Sequence, residues 1–190
     1  FRENKVYLSF LGFNLLGSIV WGTILGMPML TLTKNLNIDS QMASFLILGL
    51  GVVSNVMSMV ILKFMRFKND QINIIFKFGI RTILYVATFV TGNPILLLAT
   101  IIYMLFTNMT QNFIFSSFFV NRVDENYSMT ITTLKYCTSL LGDAIGIFIC
   151  GLVFDSSINM MALPAAILGV IHYILAIVLV EKKKKMISPN

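Results

Sequence analysis

Charge is scarce in this sequence. Asp, Glu, Lys and Arg make up 12% of the 190 residues, about half the roughly 25% usual in a soluble domain. Hydrophobic residues reach 57% and the mean hydropathy is +0.85. These values exclude a soluble globular domain, a disordered chain and a disulfide scaffold. Histidine occurs once and cysteine twice, too few ligands for a metal site. Cys137 and Cys150 fall on one apolar segment and cannot pair with each other if that segment is a helix. Gly-x-Ser-x-Gly, His-Glu-x-x-His and a Walker phosphate loop are all missing. An enzyme is therefore not expected, and neither is a cofactor. There is no initiator methionine and no signal-peptide pattern, so the chain reads as part of a larger protein.

What is present is a set of long apolar runs. Crossing roughly 30 Å of hydrocarbon takes about 20 such residues. Six stretches qualify: Val6–Thr31, Gln41–Leu62, Ile72–Val90, Pro94–Val120, Ile131–Phe154 and Met160–Val180. They predict an all-α membrane protein of six transmembrane helices in a single bundle, since the runs are too long and uniform for barrel strands. Only Lys77, Arg81, Lys135 and Asp143 carry charge inside these stretches. Turn chemistry punctuates the rest. Asn93 is placed to cap a helix that begins at Pro94, Asn37 to Ser40 to cap the second helix, and Asp155 to Ser157 to close the fifth. Short connections make neighbouring helices antiparallel.

Lys and Arg set the orientation. With both termini cytoplasmic, the inner segments hold Arg2, Lys5, Lys63, Arg66, Lys68, Arg122 and Lys182 to Lys185, while the outer loops hold only Lys34. The formal net charge of +6 is thus a topology signal. No soluble basic domain exists to bind a nucleic acid. The run from Glu181 to Lys185 reads as an inner-leaflet anchor. The expected location is the cell membrane, as a multi-pass protein.

Two segments carry more specific information. In the fifth stretch, Gly142 and Gly146 form a small-xxx-small face that lets helices approach closely. The run Gly142-Asp143-Ala144-Ile145-Gly146-Ile147-Phe148-Ile149-Cys150-Gly151 resembles the G-x-x-x-G-P-x-x-G-G pattern in the fifth helix of major facilitator superfamily antiporters. Gly142, Gly146 and Gly151 match, whereas Ile147 stands for Pro and Cys150 for Gly. The segment Ser58 to Lys68 resembles that superfamily's G-x-x-x-D-R-x-G-R-[KR]-[KR] loop, with Lys63, Arg66 and Lys68 on basic positions. Ser58, Leu62 and Met65 depart from it.

The resemblance implies the C-terminal six-helix half of such a transporter, with an N-terminal half as partner, built as a three-plus-three inverted repeat. It implies alternating access and proton-driven efflux of a small molecule. The first, second, fourth and fifth spans would then border the central path, with the third and sixth more toward lipid.

Polar residues inside the spans are the path candidates. Asn14, Ser18 and Trp21 share one face of the first span. Asn108, Gln111 and Asn112 lie in the fourth, with Thr107, Thr110, Ser116 and Ser117 around them. Thr132, Tyr136, Ser139 and Asp143 form a stripe along the fifth, with Lys135 off to one side. Lining a cavity and hydrogen bonding between helices both explain such a set. Asp143, near the middle of its span, reads either as a coupling or substrate-binding acid or as half of an ion pair with Arg81 or Lys135. Asn73, Lys77 and Arg81 step by four along the third span and read as a snorkelling stripe or a salt-bridge surface. His172 reads as a packing histidine or a proton relay.

Two other functions fit the same composition. One is a stand-alone six-span capturing subunit of a vitamin importer. Its family's Ala-x-x-x-Ala docking pattern is replaced here by Gly22-x-x-x-Gly26. The other is a non-transporting membrane interaction protein.

Overall fold

The computed structural model describes the backbone of residues 2–64, 70–120, 125–153 and 157–187. Side chains are described within these ranges except at 2–8, 30, 61–64, 70–71, 73–76, 108–120, 125–128 and 179–187.

Every regular element among the described residues is helical. The order is α1 (Arg2–Leu25), α2 (Met27–Leu30), a π-helical turn (Thr31–Asn35), α3 (Ser40–Phe64), α4 (Asp70–Thr91), α5 (Pro94–Val120), α6 (Glu125–Leu152) and α7 (Ile158–Ile187). Four stretches are long and apolar enough to cross a membrane: Ser9–Asn35, Ser40–Val60, Met129–Leu152 and Ile158–Val178. Pro94–Thr107 is a shorter apolar run. The chain is an all-α protein of the membrane type.

Local chemistry explains the boundaries. The first apolar run is interrupted at Gly26, with Pro28 in the opening turn of α2. Proline is tolerated there because the first-turn N–H groups have no partner in the helix anyway. Asp39 caps α3: the backbone N–H of Gln41 donates to its Oδ2 at 3.0 Å. Asn93 caps α5 in the same way, accepting from the Ile95 N–H at 2.9 Å. Gly92 ends α4 with φ at +60°, a left-handed conformation that suits glycine. Across the bundle, Asn159 of α7 donates to the Phe89 carbonyl at 2.6 Å and so closes the last turn of α4. The proposed closure of the fifth helix at Asp155 and Ser156 lies outside the described residues.

The helices pack in defined pairs. α1 lies along α6, α3 along α5 and α4 along α7; α4 also touches α5, and α1 also touches α7. The α4–α7 contact is set by small residues facing tyrosines, Gly169 against the Tyr85 ring and Gly79 against Tyr173. The Thr82 hydroxyl bridges both helices, donating to Phe78 and Gly169 carbonyls. Between α3 and α5, the Ser58 hydroxyl donates to the Phe106 carbonyl at 2.6 Å. The apolar core gathers Val20, Ile24 and Met27 with Tyr85, Leu97, Ile101, Met104 and Ala165. By contrast α3 exposes Phe45, Leu48, Val52, Val56 and Met59, and α6 exposes Leu140, Leu141, Phe148 and Leu152.

Candidate functional site

The α1–α6 seam holds most of the described path candidates. Four glycines bring the two backbones together. A β-carbon on Gly22 would stand 2.3 Å from the Asp143 carbonyl oxygen, and one on Gly146 would stand 2.2 Å from that of Ile19. On Gly142 it would lie 2.6 Å from the Ser18 β-carbon, and on Gly26 it would lie 2.8 Å from the Cys150 sulfur. The glycine pairs of the two helices therefore form one seam, packed against each other. Gly151 is not part of it: nothing lies within 4 Å of its would-be β-carbon.

Polar groups continue this seam toward the N-terminal end of α1. The Asn14 amide of α1 donates to the Lys135 carbonyl at 3.1 Å, the Thr138 hydroxyl at 2.9 Å and the Ser139 hydroxyl at 2.9 Å. Asn14 and Ser139 thus meet in a hydrogen bond between the helices, and Thr138 joins them from outside the expected stripe. Each such interhelical bond contributes about 0.6–2 kcal/mol. Tyr136 points away, two-thirds exposed. Trp21 packs against the apolar core. Lys135 is half-buried.

Asp143 is half-buried, and its Oδ1 is enclosed with no hydrogen-bond partner among the described residues. Among those residues it also makes no ion pair, so of its two readings the pairing with Arg81 or Lys135 is not formed here. Asn108, Gln111 and Asn112 belong to α5, but their side chains lie outside the described residues, as does that of Lys63. Arg66 and Lys68 lie outside them altogether.

A second polar group, assembled by the packing of α4, is the one that sequence reasoning missed. Lys77 and Arg81 are 5% and 3% exposed, so they point into the bundle and do not snorkel. The Arg81 guanidinium donates to Nδ1 of His172, itself 2% exposed. Guanidinium can only donate, so Nδ1 accepts and the ring is neutral with its proton on Nε2. The imidazole lies 4.0 Å from the Phe13 ring centroid and edge-on to Phe78 at 4.9 Å, against Gly17. Arg81 also sits 4.6 Å over the Phe78 ring. The Lys77 ammonium is fully enclosed and has no hydrogen-bond partner among the described residues. Tyr103 of α5 donates to the Lys77 carbonyl at 3.4 Å. The spacing of Lys77 and Arg81 marks a shared helix face. Only the pairing of α4 with α7 and α1 shows that this face points inward.

The described residues contain no cluster of His, Cys, Asp or Glu able to hold a metal. In comparisons with known proteins, no family model, no curated protein and no solved structure matches the chain.

Proposed function

We propose that this chain is the C-terminal six-helix half of a secondary active transporter of the major facilitator type. It sits in the cell membrane as a multi-pass protein with both termini in the cytoplasm. It exports a small molecule by alternating access against an N-terminal half, with the lipid bilayer as solvent and no catalytic step.

The observation that carries this reading is the pattern of helix pairs. Number the six spans in order, so that α1 with α2 is the first, α3 the second and α7 the sixth. The five most extensive pairs are then first with fifth, second with fourth, third with sixth, third with fourth and first with sixth. Exchanging first for fourth, second for fifth and third for sixth returns the same set. That invariance is what two inverted three-helix repeats require. The uncovered apolar faces of α3 and α6 add support, because the second and fifth spans border the other half in this architecture. The enclosed Asp143 Oδ1 beside the α1–α6 seam, without a hydrogen-bond partner among the described residues, suits a group that takes up and releases a proton.

Cysteine accessibility in intact cells tests the topology, in a background without Cys137 and Cys150. Cysteines at Lys34, Asn93 and Ser157 should react with an impermeant thiol reagent from outside, and cysteines at Lys68 and Arg122 should not. Labelling at Asn93 from the cytoplasmic side would remove the six-span arrangement. Flux tests the activity. The full-length transporter in everted vesicles should move its solute in response to a pH gradient, whereas this chain alone should show no saturable flux. Saturable flux by the isolated chain would instead favour a self-sufficient six-span protein.

A further inference from the structure

We infer that the groove between α1 and α7 binds an anionic phospholipid, with one acyl chain lying in the groove and the phosphate headgroup at its basic end. This rests on the membrane character of the chain and not on the transport reading.

The groove has a volume of about 440 Å³ and is lined by Ser9, Gly12, Leu16 and Ile19 of α1 with Leu175 and Val178 of α7. Gly12 opens it. The residue is exposed, and a β-carbon on it would meet nothing within 4 Å. The other two glycines of α1 are packed: Gly17 against the His172 ring and Gly22 against the Asp143 backbone. Gly12 therefore leaves space that no described residue takes up. Water in such a furrow would face almost no polar group, and an apolar hollow stays dry. Between two membrane-length helices, the apolar filling at hand is a lipid chain.

Charge selects the headgroup. α1 and α7 run antiparallel, because Phe13 stacks on His172 while Ile24 and Met27 share a small cavity with Ala162 and Ala165. The start of α1 and the end of α7 therefore lie at the same end of the bundle, beyond Ser9 and Val178. Lys5 precedes Ser9 by four residues and Lys182 follows Val178 by four, about 6 Å of helix in each case. At this end Arg2, Lys5 and Lys182 to Lys185 set six positive charges against Glu3 and Glu181. A basic end on an apolar furrow between membrane helices is complementary to an anionic headgroup, and a zwitterionic one gains little from it. A second copy of the chain packed side by side in the groove would bring the same positive charge to the same end and be repelled.

Native mass spectrometry of the purified protein in nonionic detergent tests the site, with phosphatidylglycerol and phosphatidylcholine of identical chains as the probes. Phosphatidylglycerol should bind about tenfold more tightly or better, and added salt should narrow the gap. Gly12→Leu fills the open space without a clash and should weaken phosphatidylglycerol binding about tenfold, since its side chain takes the place of lipid methylenes. Val178→Phe narrows the groove from α7 and should act in the same direction. Changing Lys182, Lys183, Lys184 and Lys185 together to Gln should bring the two lipids close to equal affinity. In detergent alone, the groove variants should unfold at the parent's midpoint. The inference is overturned if the two lipids bind the parent protein alike, or if the folded groove variants bind phosphatidylglycerol as the parent does. It is also overturned if the glutamine variant keeps the full preference. A dimer that forms without lipid and is lost in Gly12→Leu would overturn it too, by placing a second copy in the groove.

Discussion

Gly22 of α1 rests directly on the backbone of Asp143 in α6: a β-carbon at Gly22 would lie 2.3 Å from the Asp143 carbonyl oxygen and 2.9 Å from its α-carbon. The closest approach of the two helices and the acid near the middle of the apolar Met129–Leu152 stretch thus share one position. Backbone cannot move aside as a flexible side chain can. Gly22→Val and Gly146→Val should therefore separate α1 from α6 and destabilise the protein by about 1–3 kcal/mol or more. Gly151→Ala, with open space around it, should change stability by under about 0.5 kcal/mol. Unfolding in mixed detergent micelles measures all three. Equal effects at Gly146 and Gly151 would contradict the seam.

The Asn14 amide joins three acceptors on α6. Asn14→Leu keeps the volume and removes both donors, leaving the Ser139 and Thr138 hydroxyls to find other partners. The expected loss is about 1–2 kcal/mol. Ser139→Ala should cost less, because the amide retains two acceptors. A double-mutant cycle of Asn14→Leu with Ser139→Ala should show coupling, and strict additivity would mean that the contact contributes nothing.

Helix content was legible in the sequence because long apolar runs admit little else. The cap at Asn93 with Pro94 was legible for the same kind of reason: it depends on residues adjacent in the chain. The Gly142–Gly146 face was visible too, though its partner, the Gly22–Gly26 face, emerges only from the pairing of α1 with α6. Lys77 and Arg81 show the limit. Their four-residue spacing marks a shared face but not its direction, and an inward and a snorkelling stripe have identical spacing. Asp143 shows it again, since an ion pair depends on which helices adjoin, and Arg81 is turned toward His172 on α7 instead.

The reversal between α4 and α5 offers a local test. Gly92 has φ at +60°, and a β-carbon there would meet the Asn159 side chain at 2.3 Å. Gly92→Ala therefore combines left-handed strain, about 1–2 kcal/mol, with displacement of the amide that closes α4. Asn159→Ala should remove only the bond to the Phe89 carbonyl and cost about 1 kcal/mol. Gly92→Ala should be the more destabilising of the two in the same unfolding assay. The opposite order would mean that the Asn159 bond, and not the backbone conformation, holds the reversal.

Asp143→Asn separates a structural role from a coupling role. An acid in an ion pair leaves a stranded cation when neutralised, at a cost of several kcal/mol. Here Asp143 has no ion pair among the described residues, and its enclosed Oδ1 accepts no hydrogen bond there. Asparagine is nearly isosteric and carries no charge to desolvate. The folded yield and unfolding midpoint of Asp143→Asn should therefore equal or exceed those of the parent protein. Transport should respond differently, because an amide cannot load and release a proton in the relevant range. On the proposed transporter reading, Asp143→Asn in the full-length protein should abolish uptake driven by a pH gradient in everted vesicles while leaving counterflow, the exchange of labelled for unlabelled solute without a gradient, in place. Lower folded yield with unchanged coupling would reverse the assignment and make Asp143 a packing residue of the α1–α6 seam.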